Sequence, residues 1–352
     1  MHKQAFPIKL QKVRKSMKRI FKILAFILSM LLLVSCGAPA DTEGTSDTNP
    51  PEPDETKAPE TDAPETEAPE TEAPETETPE TEKTETEETE TEEVVEEEVA
   101  VFNKMPVVLL MGQSNMAGRG HEDFVEPISD ERILMLRDGE WVTMQEPIHT
   151  DSDVAGIGLA ASFAKAFVET FDCEIGLVPV AVGGSAVSLW KKNYSGDGRL
   201  YETVLEQARK AQETGEICAI LWHQGESNRT STAYVRHFKE VMDPLIEDLG
   251  LDKDKLVIIS GELGAWEGKD VERVNSAFAA IEAEGYYPNY AVVSQEGLTN
   301  TKGERYGSDS HFDSPSLRVF GYRYFEAFYE EFLDRECPYE YSQDPNDYRI
   351  NK

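Results

Sequence analysis

Five short apolar runs separated by longer amphipathic segments predict an α/β protein: a three-layer α/β/α sandwich around a mostly parallel central sheet of about five strands. The runs are PVVLLM (106–111), EIGLVPVAV (174–182), ICAILWH (217–223), KLVIISG (255–261) and YAVVSQ (290–295). They lack the polar alternation of a half-exposed strand, so they read as strands buried on both faces. The segments between them place apolar residues at helical spacing. Strand and helix in alternation imply parallel strands with helices on both faces of the sheet.

Each element follows in order. After the first strand comes a polar stretch, then GLAASFAKAFVETF (158–171), with apolar residues three and four apart. The second strand leads through GGSAVSLW to LYETVLEQARKAQETG (200–215), and the third through HQGESN to TAYVRHFKEVMDPLIEDL (232–249). The fourth strand is followed by VERVNSAFAAIEAEG (271–285). The fifth precedes a loop and the closing helix SPSLRVFGYRYFEAFYEEFL (314–333), where Ser314 is a natural N-cap and Pro315 suits the first helical position. In sheets of this kind, chemistry gathers in the loops beyond the strands' carboxyl ends. Four segments therefore share one rim: GQSNMAGRG (112–120), GGSAVSLW (183–190), HQGESN (223–228) and the loop containing SHFD (310–313).

The residues before this domain are of two other kinds. KVRKSMKRIFK is basic, ILAFILSMLLLV is continuously apolar, and LVSC follows at 33–36. A basic region, a short apolar core and small residues before a cysteine describe an export signal. The apolar run is short against the ~20 residues a spanning helix needs. LVSC resembles a bacterial lipobox, which implies lipidation of Cys36 and a domain anchored on the extracellular face of the cell membrane. Residues 37–102 repeat APETE and TETE. A segment so acidic and so poor in apolar residues cannot offset its ordering entropy by burial, and is expected to be an extended tether. The expected organisation is thus signal peptide 1–36, linker 37–102, folded domain 103–340 and C-terminal tail 341–352.

The formal charge of −34 divides into +8 before Cys36, −23 in the linker and −19 beyond it. Nothing past residue 36 forms a basic footprint, which argues against a nucleic-acid partner. Cys173, Cys218 and Cys337 stand too far apart in sequence to read as a zinc framework or a disulfide scaffold, although a single bridge among them stays open. No metal or organic cofactor is expected.

Serine is a weak nucleophile unless a base takes its proton and donors hold the oxyanion. Ser114 leaves the first strand among Gly112, Asn115, Ala117 and Gly118, where the backbone can approach a ligand closely. The G-x-S-x-G elbow is absent, because Met116 occupies its second glycine position. Among the histidines, His311 lies on the same rim as Ser114 and His223 ends a strand. His237 belongs to a helix, and His121 and His149 read as surface residues of polar loops. An acid to orient the imidazole is available in Asp309, Asp313 or Glu226. Asp313 also suits the N-terminus of the following helix.

GQSNMAGRG, VPVAVGGSAVSLW, LWHQGES and SHFDSPSLRVFGYRY together resemble, in order, the blocks of the SGNH-hydrolase superfamily, within it the sialate O-acetylesterase and carbohydrate esterase family 6 branch, which includes acetylxylan esterases. The likeness spans residues 106–332. It implies a flavodoxin-like SGNH fold, Ser114 as nucleophile and His311 as general base and then acid. It also implies an oxyanion held by the backbone N–H of Ser114, that of Gly183 or Gly184, and the Gln224 amide. Many members of the superfamily place Asp three residues before the histidine; here Ser308 stands there and Asp309 follows. That spacing redirects the side chain, so Glu226 of HQGE is the preferred acid and Asp309 the alternative. Asn115, Arg119 and Trp190 are weaker candidates for substrate contact; Asn115 alternatively pins the turn, and Trp222 reads as core.

The resulting expectation is an extracellular, lipid-anchored carbohydrate O-acetylesterase acting on xylan-type polysaccharide, with sialate O-acetyl hydrolysis as the alternative of the same chemistry. A glycoside hydrolase using Glu226 and Glu262 would leave Ser114 and His311 unexplained. A non-catalytic surface carbohydrate-binding protein is the remaining class.

Overall fold

The computed structural model describes residues 101–268, 270–302 and 310–350. The signal peptide, Cys36, the linker up to residue 100 and Asp309 lie outside them.

A single seven-stranded sheet runs in the order β3-β2-β4-β1-β5-β6-β7. The five expected strands are β1 (Met105–Gly112), β4 (Ile175–Pro179), β5 (Gly215–His223), β6 (Val257–Gly261) and β7 (Asn289–Val293), and their ladders are all parallel. The other two strands form an unexpected hairpin, β2 (Ile133–Arg137) and β3 (Glu140–Thr143), which adds the sheet's one antiparallel ladder among the described residues. Its turn is Asp138-Gly139, both with positive φ, the backbone a two-residue hairpin demands.

β1 is central and splits its side chains between the two faces. Val108 and Leu110 join a core with helix α2 (Ala160–Phe171) and helix α6 (Ser314–Leu333). Val107, Leu109 and Met111 join a second core under α3 (Tyr201–Gln212), α4 (Tyr234–Asp248) and α5 (Val271–Glu284). Strand periodicity of two sends alternate residues to opposite layers, which is why β1 must be apolar throughout. Gly321 lets α6 approach α2 closely: a Cβ there would collide with the Leu159 carbonyl and Ser162 Oγ.

The C-terminal stretch expected to be a tail packs on the domain. Tyr341 and Tyr348 lie against Tyr322, and Ile350 N–H donates to the Phe124 carbonyl at 3.1 Å. Their aromatic rings recover apolar burial that charge counting alone hides. Cys173, Cys218 and Cys337 are free thiols.

β4, β1 and β5 are neighbours, so the loops leaving their carboxyl ends meet. Gly112 pairs in register with His223 across the β1–β5 ladder. On the other side Val182 N–H donates to the Gly112 carbonyl at 3.0 Å.

Candidate active site

Four consecutive residues from the last position of β1 onward do four different things. Gly112 has φ +136°, and a Cβ there would collide with the His223 carbonyl, so only glycine lets β1 turn this close to β5. Gln113 reaches across to the β5 loop, where its Oε1 accepts from Gln224 Nε2 (3.2 Å), Gly225 N (3.4 Å) and Ser227 N (3.2 Å). Ser114 opens α1 (Ser114–Ala117), a single helical turn, and its Oγ lies 3.0 Å from His311 Nε2.

Asn115 connects three parts of the site. Its Oδ1 accepts from Phe312 N at 3.1 Å and its Nδ2 donates to the Ser310 carbonyl at 3.3 Å, so the amide brackets His311 from both sides. The same Nδ2 donates to Glu226 Oε1 at 2.5 Å. Asn115 is 2% exposed, so it braces the histidine loop and does not face substrate. The loop is further held where Thr301 N donates to the His311 carbonyl (2.8 Å) and Asp313 N to the Thr299 carbonyl (3.1 Å). Asp313 is the N-cap of α6, accepting from Ser316 N at 2.9 Å, the structural role its sequence position suggests.

Glu226 begins a short 3-10 turn after β5. Its Oε1 lies 3.6 Å from His223 Nε2, close enough for charge attraction but long for a hydrogen bond. Its Oε2 is buried without a partner among the described residues. Burial pushes the carboxyl upward, but the facing His223 and the Asn115 amide outweigh it and hold Glu226 below the ordinary value. It is a carboxylate at neutral pH, acting on His311 through its charge. His311 itself is held below the ordinary histidine value, first by burial and then by the Arg119 charge, with Glu226 pulling the other way. A neutral imidazole beside a serine is the state in which it can accept that serine's proton.

His223 is fully buried, with Nδ1 3.1 Å from the Tyr324 hydroxyl and its ring edge-on to Phe312 and Phe320. It is a core and orienting residue.

The structure separates the expected oxyanion donors. The Ser114 and Gly184 backbone N–H groups have no partner among the described residues. Gly183 N–H is already donated to Asp151 Oδ2 at 2.7 Å. The Gln224 amide is consumed as well: Nε2 donates to Gln113, Ser185 and Asn228, and Oε1 accepts from Tyr234. With no exposed surface, Gln224 clamps the loops together instead of facing a substrate.

Two substrate candidates are also corrected. The Arg119 side chain is 8% exposed and bound to Asp151 through both carboxylate oxygens, so the pair ties the first loop to the Gly183 turn. Trp190 is fully buried against Trp222, with Nε1 donating to Ser185 Oγ at 3.1 Å. Its sequence position after the second block suggests the rim, but 3-10 winding over Val187–Trp190 turns the indole into the core. Trp222 is core as expected, its Nε1 donating to Tyr234. His149 is 3% exposed, not a surface residue, and burial pushes its pKa down to about 4.

Gln113, Asp151 and Asn228 matter here and carry no sequence signal of their own, since each ties its loop to a segment far away in the chain. Asn228 Oδ1 accepts from both Val187 N (2.8 Å) and Gln224 Nε2 (2.7 Å). Glu262, the second carboxylate of a glycosidase pair, instead accepts from Gln295 N at 3.2 Å in the loop after β7.

Residues 104–330 match the family model described as carbohydrate esterase, sialic acid-specific acetylesterase. A probable carbohydrate esterase of Arabidopsis thaliana is 34% identical over 216 residues, covering 54% of this chain and 80% of the plant protein. The X-ray structure of an Arabidopsis thaliana protein is similar with a TM-score of 0.56 and 26% identity, over 66% of this chain and 100% of the other. A carbohydrate acetylesterase from Xanthomonas citri shares the fold, with a TM-score of 0.50 and 18% identity over 65% of this chain and 57% of that one.

Proposed function

The chain belongs to the carbohydrate esterase, sialic acid-specific acetylesterase family, and on that premise we propose that it removes O-acetyl groups from xylan-type polysaccharide through an acetyl-serine intermediate on Ser114. The observation that carries this reading is the 3.0 Å approach of His311 Nε2 to Ser114 Oγ. A base in hydrogen-bond reach of a buried hydroxyl is what nucleophilic catalysis by serine requires.

In the proposed reaction His311 Nε2 takes the Ser114 proton as Oγ attacks the acetyl carbonyl carbon. The carbonyl oxygen becomes an oxyanion facing the Ser114 and Gly184 N–H groups, each typically worth ~3 kcal/mol in the transition state. Gly184 is brought there because Val182 N and Ser185 Oγ both bond the Gly112 carbonyl, two residues before the nucleophile. The tetrahedral intermediate collapses, the C–O bond to the sugar breaks, and His311 returns the proton to the departing sugar oxygen. Water, deprotonated by His311, then attacks the acetyl carbon, the bond to Ser114 Oγ breaks, and acetate leaves as His311 returns the proton to Oγ. Glu226 stabilises the imidazolium in both steps through its charge, and Asn115 keeps the imidazole aimed.

A polymeric substrate is favoured by a single domain without large insertions and by the acidic tether that would carry it away from a surface. A lipid anchor at Cys36 and an extracellular location are parts of the same proposal. The test is acetate release from acetylated xylan and from O-acetylated sialic acid, beside the Ser114→Ala variant. Serine-dependent release that is faster from xylan supports the proposal. Faster release from sialic acid replaces the substrate with a sialate, and release from neither overturns both.

A further inference from the structure

The Gly183-Gly184 turn has a freedom that its neighbours take away. Ser185 N–H donates to the Val182 carbonyl at 3.2 Å, closing a four-residue turn, and Gly184 in its third position has φ +70°, the sign a type II turn requires there. Type I and type II turns differ by a flip of the central peptide, which here carries the Gly184 N–H. Two glycines in the middle offer no Cβ to resist that flip. An oxyanion donor, however, works only while its N–H keeps one direction.

Two side chains hold the flanking peptides. On one side Gly183 N–H donates to Asp151 Oδ2 at 2.7 Å, and on the other the Gly184 carbonyl accepts from the Ser227 hydroxyl at 3.0 Å. The central peptide is pinned from both ends. The two glycines also differ in what surrounds them. A Cβ on Gly183 would collide with Arg119 Nη2 and press on Asp151 Oδ2, whereas one on Gly184 would meet nothing within 4 Å. Gly183 is thus packed against the Arg119–Asp151 pair, and Gly184 borders open space into which a reacting carbonyl can enter.

A carboxylate beside an oxyanion donor needs its charge cancelled. Burial pushes the Asp151 carboxyl up, but the hydrogen bonds from Arg119 and Gly183 outweigh it and hold it below the ordinary value, so it is ionised at neutral pH. Bare, that charge would stand one peptide away from the Gly184 N–H and repel an oxyanion there. Arg119 meets it with Nη1 at 3.3 Å from Oδ1 and Nη2 at 2.7 Å from Oδ2. Both side chains are almost wholly buried, so solvent ions screen neither. His149 lies beside them, and burial, which lowers its pKa to about 4, keeps it neutral.

We propose that Asp151 is a positioning residue of the oxyanion site: by holding Gly183 N–H it fixes the turn so that Gly184 N–H faces the oxyanion, and Arg119 cancels the charge that this arrangement places there. The role rests on the esterase reading, which supplies the oxyanion. Neither side chain touches the substrate. Asp151 acts through the Gly183 peptide, and Arg119 acts through Asp151.

The test compares two variants of the full chain that both lack the buried charges, Arg119→Met/Asp151→Asn and Arg119→Met/Asp151→Ala. Replacing both members of a buried ion pair by uncharged groups is commonly tolerated, and circular dichroism verifies the fold. Both variants lose the Arg119 bond to the Gly118 carbonyl equally, but only asparagine keeps an oxygen for Gly183 N–H. The readouts are kcat and KM for p-nitrophenyl acetate and the affinity for methylboronic acid. With that probe a bond forms from Ser114 Oγ to boron, the serine proton passes to His311, and a boron-bound oxygen of the tetrahedral anion takes the oxyanion's place. The expected result is a kcat about 10²-fold lower in the alanine variant than in the asparagine variant, the scale of one oxyanion donor, with boronate affinity falling in parallel and KM within about twofold. Arg119→Met alone, which leaves the carboxylate bare, should be slower than the asparagine double variant. Equal kcat and equal boronate affinity in the two double variants overturn the positioning role, as does unfolding of the alanine variant with the asparagine variant folded. An Arg119→Met single variant as fast as the asparagine double variant overturns the charge cancellation. Ser114→Ala, run beside them, separates the failures: turnover that survives it overturns the esterase reading and this role with it, whereas serine-dependent turnover with equal double variants counts against Asp151 alone.

Discussion

His311 Nε2 and Ser114 Oγ stand 3.0 Å apart although 197 positions separate them in the chain, and the residue next to the serine holds the histidine in place. Asn115 bonds the backbone on both sides of His311 and the carboxylate of Glu226. The Ser114 hydroxyl, the His311 imidazole and the Glu226 carboxylate are thus registered to one short turn.

Asn115→Ala should therefore damage catalysis without removing any group that touches substrate. A base displaced by about 1 Å costs on the order of 10²-fold. The expected outcome is a fall of that size in kcat for an aryl acetate with KM nearly unchanged, measured by steady-state kinetics beside circular dichroism to verify folding. A large rise in KM with kcat intact would instead make Asn115 a substrate contact.

Glu226→Gln should lower both the rate and the pH at which His311 titrates. In the wild type the Glu226 charge favours the imidazolium, against burial and Arg119. Removing it leaves the base weaker and its protonated form less stable, so the acidic limb of kcat/KM moves to lower pH while the plateau falls. A loss of about 10²-fold to 10⁴-fold is the scale of impaired general-base catalysis. Asp309→Asn in parallel compares the two carboxyl candidates; a greater loss there would transfer the role of third member to Asp309.

Stability should fall on mild acidification because of His149. Its folded pKa is depressed from 6.5 to about 4 by burial, so the unfolded chain binds this proton first. The contribution is complete above about 6.5, is lost as pH falls towards 4, and amounts to about 3 kcal/mol. Denaturant titrations between those pH values should show the slope, and His149→Gln should flatten it. An unchanged slope in the variant would assign the acid sensitivity to other groups.

Trp190→Ala should act on the core, not on substrate. Deleting a fully buried indole costs about 3–5 kcal/mol, readable as a lower denaturation midpoint. The KM of folded enzyme for acetylated xylan should stay within twofold or so, since exposed neighbours are untouched. A selective rise in KM with stability preserved would return Trp190 to the sugar site.

The sequence was informative where a residue's environment is set by its neighbours in the chain. Apolar runs long enough to be buried on both faces located five strands, and the order of strands and helices located the rim that carries Ser114, Glu226 and His311. The hairpin β2–β3 escaped because β3 is a four-residue edge strand with largely exposed side chains and so forms no apolar run, although Asp138-Gly139 was a usable turn signal. Hydrogen-bond allegiance was not legible. Gln224 and Gly183 stand in the expected blocks, yet Asn228 four residues further on, and Gln113 and Asp151 from other loops, claim their donors. Whether a tryptophan after a loop faces out or in, as with Trp190, depends on the local winding of three or four residues and on a cavity formed by another strand.

The most direct measurement is a rapid acid quench of the enzyme during turnover of an aryl acetate, followed by mass analysis of the peptide containing Ser114. The account predicts one acetyl group on Ser114 in the wild type and none in Ser114→Ala. Acetate release without any acetylated Ser114, persisting in Ser114→Ala, would contradict it.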